Sequence, residues 1–408
     1  MVYLLFVFFI GMVLMMTEFV IGRRSRHTPI RAFASLAPSG KSWRWVGLLG
    51  IVTCFFIISQ YFVLSGWTVG YFFDSCTGTL ASLGQDGALI ASHFEAFTTD
   101  AWRPVIFLTV FGAITAAILL GGVQKGIEGV SKVLMPFLFL ILLVLCVRSL
   151  TLPNAMSGLH YLFAPDFSKL TGEGILAALG QALFSLSVGM GVMIVYGSYI
   201  PAGDNLFKTA MWITASDTLI AVLAGVAIFP AVFSCGIDPA GGPGLVFKVL
   251  PNVFNSMGVA GSVFAALFFL LLAVAALTSA ISLLETPSAW LSEWKGVSRN
   301  KSVLLVFAVV LVMAVVISLS AGVWNNVRVF GDPIFDFVDK LNSIYLPPLC
   351  ALGTVIFLGW VMPRKDVADE LSNHGTVGIG YFNAFLFLAR YVAPVALLVV
   401  LVFGIINA

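Results

Sequence analysis

The chain has 408 residues, of which 60% are hydrophobic and 10% charged, with a formal net charge of +2 and a mean hydropathy of +1.05. That balance excludes an ordinary soluble domain, in which roughly a quarter of the residues are charged. A near-neutral chain with no basic run beyond Arg23, Arg24 and Arg26 also argues against a nucleic-acid partner.

In chain order, an apolar run from Met1 to Ile21 ends in Gly22-Arg23-Arg24-Ser25-Arg26. Its length and basic flank predict a spanning helix and not a cleaved leader. With windows of about 20 residues, further spans are expected near Trp43 to Phe73, Trp102 to Gly122, Val133 to Ser149, Gly174 to Tyr199, Ala210 to Cys235, Gly258 to Ser292, Ser302 to Leu319, Pro333 to Val361 and Gly378 to Ile406. The expected fold class is therefore an all-α polytopic membrane protein with ten spans. Basic residues in alternate loops set its orientation. Arg23, Arg24, Arg26, Arg31, Lys41, Arg44, Lys125, Lys132, Lys208, Lys295, Arg299, Lys301, Arg364 and Lys365 fall on one side, against Arg103, Arg148, Lys169, Lys248 and Arg328 on the other. The first set should face the cytoplasm, which puts both the N-terminus and the C-terminus outside.

Several function classes drop out. Cys54, Cys146 and Cys350 lie in spans, and Cys76 and Cys235 near span ends, with no CxxC spacing to suggest a disulfide framework or a metal site. His27, His93, His160 and His374 all fall between spans, where they cannot serve an intramembrane hydrolase or a haem-bearing bundle. No GxxxxGK[ST] pattern marks an ATP-driven pump. No enzyme activity is expected.

The residues that carry chemistry lie inside the spans. GQALFSLSVGMGVMIVYGSY, Gly180 to Tyr199, is long enough to cross a bilayer, but its centre holds Ser185, Ser187, Gly189 and Gly191, which give up helix easily. Unpaired backbone at that depth persists only where it is buried in protein or lines a cavity, and interrupted helices of this kind place half-helix ends at the ion and substrate sites of secondary transporters. Close helix packing is the other use of such small residues. Asp217 stands about 20 Å along a helix that starts near Asp204; a carboxylate there needs a cation or a structural hydrogen bond. Ala275, Thr278 and Ser279 share one helix face, where a carbonyl and two hydroxyls can serve a hard cation or bond back to their own helix. Tyr61, four residues after Ile57, presents a hydroxyl beside an apolar surface, or is simply a buried tyrosine. Gly66 and Gly70 form a helix-packing GxxxG.

Together these stretches resemble the neurotransmitter:sodium symporter family, in its bacterial branch with the LeuT-like inverted-repeat fold. GQALFSLSVGMGVMIVYGSY resembles the broken sixth helix, KGIEGVSKVLMP the entry to the fifth, and AGGPGLVFKVLP the outer loop before the eighth. LTSAISLLE is similar to the eighth helix itself and ARYVAPVALL to the eleventh. The resemblance covers essentially the whole chain as one transporter domain: residues 1–149 correspond to helices two to five, 170–361 to helices six to ten, and 378–407 to the eleventh. It implies sodium-coupled uptake, by alternating access, of a hydrophobic amino acid with an aromatic or large aliphatic side chain, across a bacterial inner membrane. Sodium (Na+) would be the coupled ion, and oligomeric state stays open.

Carried over position by position, Ser185 and Asp217 would serve one sodium site, and Ala275, Thr278 and Ser279 the other. Tyr61 would hold the substrate carboxylate, with Ile57, Phe184, Ser185, Ser187, Met190, Ser279, Ala280 and Leu283 lining the pocket and Phe184 as its lid. Asp339 resembles the acidic member of the outer gate, Tyr199 and Glu293 parts of the inner one, and Glu18 a carboxylate that ties down unwound backbone. A carboxylate at 217 with Ala221 one turn on implies that chloride is dispensable. The family's first helix has no counterpart in this sequence, which would account for an N-terminus outside. The polypeptide beginning at Met1 is then expected to be inactive, with Asp339 and Glu293 lacking arginine partners and Tyr61 and Phe184 facing a slot. Two other readings stand beside transport of an amino acid: a scaffold kept for sensing or partner binding, and a symporter of some other solute.

Overall fold

In hydrocarbon every backbone polar group must be satisfied within its own segment, so the long apolar runs can only be helices. The computed structural model describes all residues except 1, 38–40, 165, 167, 169, 237–243 and 407–408, and all their side chains except those of 41, 123–131, 133–134, 173, 235 and 259. Ala240 to Pro243 of the outer-loop motif therefore lie outside the described residues, as do Lys169 and the side chains of Lys41, Lys125 and Cys235.

Helix α1 runs Val2–Ser25, followed by α2 Pro29–Leu36, α3 Arg44–Cys76, α4 Gly87–Thr99, α5 Arg103–Gly121, α6 Val123–Leu150 and α7 Ala155–Phe163. The interrupted span is α8 Gly172–Ser185 and α9 Val192–Tyr199. Then come α10 Leu206–Cys235, α11 Leu245–Asn255, α12 Val259–Lys295 and α13 Arg299–Leu319. A hairpin of β1 Arg328–Val329 and β2 Asp332–Pro333 leads into α14 Ile334–Val361, α15 Arg364–Leu371 and α16 Phe382–Ile406. Among the described residues, eight helical runs (α1, α3, α5, α10, α12, α13, α14 and α16) are long and apolar enough to cross a membrane, and α6 adds a ninth before the chain bends by 116° into α7. The interrupted α8–α9 segment makes up the ten spans expected.

The loops are more helical than the sequence reading allowed. Asp86 starts α4 by accepting from the Ala88 and Leu89 amides. Asp100 does the same ahead of α5, accepting from the Trp102 and Arg103 amides at 2.7 Å each. Those amide bonds hold its carboxyl below the ordinary carboxylate range. Helix α6 starts ten residues before the expected Val133, directly after Gly122 turns the chain at a φ of 101°.

Two apolar cores form, and the interrupted span lies at their seam. One gathers Ile57, Phe62, Trp67, Leu108, Phe247, Phe269 and Ala280, from α3, α5, α11 and α12, with Met190 and Val192. The other joins α1, α14 and α16 to Leu179, Leu183, Leu186, Val188 and Ile194. Helices α1 and α9 meet backbone to backbone: a Cβ on Gly22 would lie 2.0 Å from the Ile194 carbonyl oxygen. Small residues permit that approach.

Candidate functional site

The break lies between Ser185 and Val192. Ser187, Gly189 and Gly191 all take left-handed backbone, with φ of 54°, 77° and 74°. A Cβ at Gly189 would come within 2.4 Å of the Pro347 carbonyl oxygen, so that position admits only glycine. Ser187 has a Cβ and still adopts this conformation, the kind of strain that concentrates at functional sites. One freed amide is caught by a carboxylate: Gly189 N–H donates to Glu18 Oε1 at 2.6 Å. Glu18 is fully buried; the Met193 and Ile194 amides lie near its carboxylate, whose Oε2 makes no hydrogen bond among the described residues.

The last residue of α8 faces α10. Ser185 Oγ donates to Asp217 Oδ2 at 2.5 Å, and the Tyr3 hydroxyl donates to Ser185 Oγ at 3.4 Å. On the long helix α12, Thr278 Oγ1 donates to the Ala275 carbonyl at 2.8 Å. This is the back-bonding arrangement, and it also brings two of the three expected oxygens to one point. The third, Ser279, lies beside the Tyr61 hydroxyl. Hydroxyl, carbonyl and carboxylate oxygens are what hard cations take. Among the described residues no cluster of His, Cys, Asp and Glu suits a transition metal.

Between α9 and α12 lies a cavity of ≈ 210 Å³, lined by Ser187, Val192, Met193, Tyr196, Thr278, Ser279, Ser282 and Leu283. A second, of ≈ 180 Å³, is lined by Tyr61, Leu64, Ser65, Thr68, Val246, Phe247, Leu272 and Ala276. Of the expected pocket residues, Ser187, Ser279 and Leu283 line the first cavity. Ile57, Met190 and Ala280 do not, and are at most 2% exposed in the core behind it. Met190 is carried there because Gly189 and Gly191 on either side of it are both left-handed, and Met193, in the first turn of α9, takes its place at the wall. Phe184 and Tyr61 are partly buried and pack on one side against the first core, and Tyr61 also lines the second cavity.

The residues expected at the two gates each have partners of their own. Tyr199 and Glu293 do not meet. The Tyr199 hydroxyl donates to Glu285 Oε1 at 3.3 Å, and Arg299 Nη2 donates to Glu285 Oε2 at 2.8 Å. Glu293 lies eight residues further along α12, about 12 Å away along the axis, too far for the end of α9. It is not left without partners: it pairs with His27 Nδ1 at 2.9 Å and Arg31 Nη1 at 3.2 Å, and takes the Thr28 hydroxyl. Asp339 is partnered too, accepting from Gln60 Nε2 at 2.7 Å, while Asn342 Nδ2 donates to Gln60 Oε1 at 2.7 Å. Asn342 reaches Gln60 from a π-helical turn, Leu341–Tyr345. Near Glu293, on the same side, buried Arg23 joins α1 to α15 through Glu370 Oε2 at 2.8 Å, and to the α9–α10 turn through the Asp204 carbonyl at 2.7 Å.

Tyr196, Ser282 and Glu285 were missed in the sequence. Ser282 lies four residues after Thr278 on the same face, and its hydroxyl meets that of Tyr196. Glu285 is a carboxylate inside an apolar span, a signal that intramembrane charge supplies on its own.

Comparison with known proteins identifies the family and the fold. Residues 90–408 match the model of the Sodium:neurotransmitter symporter family. The chain is 38% identical to an uncharacterized sodium-dependent transporter of Bacillus subtilis, YhdH, over 98% of this chain and 88% of the relative. It is 26% identical to the sodium-dependent serotonin transporter of Drosophila melanogaster, over 99% of this chain and 70% of that one. The crystal structure of MhsT in complex with L-phenylalanine matches it with a TM-score of 0.93 at 38% identity, covering 99% of this chain and 90% of MhsT. The fold is thus that of a multi-pass transporter of the LeuT type. The chain belongs to the sodium:neurotransmitter symporter family.

Proposed function

We propose that the protein couples the inward movement of Na+ to that of a hydrophobic amino acid, aromatic or large aliphatic, by alternating access across a bacterial inner membrane. The cavity between α9 and α12 carries this reading. Ser187, Tyr196, Thr278, Ser279 and Ser282 give it hydroxyls, and Val192, Met193 and Leu283 an apolar wall without any charged side chain in the lining. Such a lining can orient an amino and a carboxylate group through a few polar atoms while burying an apolar side chain. MhsT, 38% identical, was crystallised with L-phenylalanine, which supports the same substrate class here.

Each element has a role in this scheme. The C-terminal end of α8 carries partial negative charge and, with Ser185 and Asp217, forms one cation site. The Ala275 carbonyl, Thr278 and Ser279 form the second. The N-terminal end of α9 carries partial positive charge and, with Tyr61, receives the substrate carboxylate. Ile57, Phe184, Met190 and Ala280 stand behind the lining and set its size. Glu18 holds the unwound backbone open. Asp339 with Gln60, and Tyr199 and Glu293 with their partners, close the two ends.

Thermal stabilisation of the purified protein by tryptophan, tyrosine, phenylalanine or leucine, with choline replacing sodium in a matched series, tests this. Stabilisation by these ligands in sodium alone is expected. Stronger stabilisation by glycine or lysine than by any of them contradicts the pocket argument.

A further inference from the structure

Arg390 stands in the last span, α16, with no carboxylate partner among the described residues. Its Nε donates to the Gly359 carbonyl at 2.5 Å. Its guanidinium lies over the Trp360 ring, 5.8 Å from the centroid, and the Trp360 indole N–H donates back to the Arg390 carbonyl at 3.4 Å. Both sides of this contact are π-helical turns, Phe357–Val361 of α14 and Leu388–Val392 of α16, which loosen the regular helix ladder. A Cβ on Gly359 would fall 2.9 Å from Arg390 Cγ, so the close approach depends on that glycine. The head group is thus fixed in place while its two Nη groups find no acceptor among the described residues.

The surroundings say what the acceptor is. Trp360 is one residue from the end of α14, so the guanidinium beside it lies at the level of the membrane surface. Arg364 and Lys365 follow directly, on the side that the basic residues assign to the cytoplasm. Trp360, Tyr391 and Phe387 are 60%, 48% and 58% exposed, with Tyr391 5.6 Å from each of the other two rings. Exposed aromatic rings at this level belong to the lipid interface. Arg364 Nη2 donates to Asn383 Oδ1 at 2.6 Å, and Asn383, Phe387 and Arg390 recur at i, i+4 and i+7 along α16, which brings a second guanidinium to the same face.

We propose that Arg390, held by Gly359 and Trp360, binds the phosphate of an anionic phospholipid headgroup, with Arg364 as the second cation. A planar guanidinium fork matches phosphate oxygens in pairs. The Trp360 face that could receive a choline group is already covered by a cation, so a choline lipid would set like charges together.

Native mass spectrometry of the purified chain with phosphatidylglycerol or phosphatidylcholine of identical acyl chains tests this. Phosphatidylglycerol is expected to be retained about fivefold over phosphatidylcholine, the effect of one interfacial arginine, and Arg390→Gln to remove the preference. Arg26→Gln is the charge control, because that exposed guanidinium is taken by the Ser198 and Ile200 carbonyls; the preference should survive it. Should Arg390→Gln fail to fold, Trp360→Leu leaves the arginine but not its support, and should weaken the preference. Equal retention of the two lipids by the unmodified protein overturns the proposal. So does a preference that survives both Arg390→Gln and Trp360→Leu, one lost equally in Arg26→Gln, or displacement of the lipid by millimolar inorganic phosphate, which would mark a site for a soluble anion.

Discussion

Thr278→Val separates a sodium ligand from a side chain that merely bonds to its own helix. Valine keeps the shape and removes one oxygen, so no cavity opens. The hydrogen bond lost, Thr278 Oγ1 to the Ala275 carbonyl at 2.8 Å, is worth about 1 kcal/mol net. The Ala275 carbonyl remains within its helix, and the variant should fold. If that oxygen also ligates sodium, a charge-assisted contact of about 1.5–3 kcal/mol is removed, and the sodium dissociation constant rises roughly tenfold or more. At sodium one hundred times the parent constant, linkage contributes about 2.7 kcal/mol to stability, and a tenfold weaker site retains about half of that. Thermal unfolding in nanodiscs over a sodium titration at constant ionic strength, with choline as the replacing cation, reads both quantities. A titration midpoint within about twofold of the parent, alongside a lowered sodium-free stability, would refute the assignment and leave back-bonding as the whole role of Thr278. Adding Ser279→Ala should deepen the sodium defect.

Other expectations follow from single contacts. Asp217→Asn keeps the hydrogen bond from Ser185 and removes the fixed charge, so uptake should be abolished or become responsive to chloride; uptake by the parent that collapses when gluconate replaces chloride contradicts this. Gly189→Ala places a Cβ against the Pro347 carbonyl at a φ of 77°, and should cost more than the ~1–2 kcal/mol of left-handed strain alone, read as a lowered unfolding temperature; an unchanged one sinks the argument. Arg23→Ala removes the buried guanidinium 2.8 Å from Glu370 and leaves that carboxylate only the more distant Arg24 at 3.7 Å, so it should destabilise by up to about 3–5 kcal/mol, whereas Arg31→Ala, an exposed pair with Glu293, should cost less than about 1 kcal/mol. Equal effects of the two in thermal unfolding would contradict the difference in burial.

How much of this was legible differs from one element to the next. The break at Leu186–Gly191 could be read because serine and glycine surrender helix whatever surrounds them, and the spans because their hydropathy is a property of the segment. The pairing of Tyr199 with Glu285 could not, since it depends on how far α9 rises beside α12, a matter of helix packing that neither sequence records. Met190 and Met193 look equivalent in the sequence, and only the left-handed backbone of Gly189 and Gly191 sends one into the core and leaves the other at the cavity wall. Gln60 meets Asp339 and Asn342 across two helices, and the π-helical turn that delivers Asn342 has no simple sequence mark. The loop helices were hidden for another reason: hydropathy windows report membrane crossing, and α4 and α11 do not cross.

The central claim, coupling of Na+ to a hydrophobic amino acid, is tested most directly by uptake into liposomes containing the purified protein. With sodium outside and potassium inside, radiolabelled leucine or phenylalanine should accumulate above its external concentration, stop when choline replaces sodium, and collapse when a sodium ionophore removes the gradient. Accumulation that persists without sodium, or a sodium-driven flux of glycine or lysine that leucine, phenylalanine and tryptophan fail to compete, would contradict it.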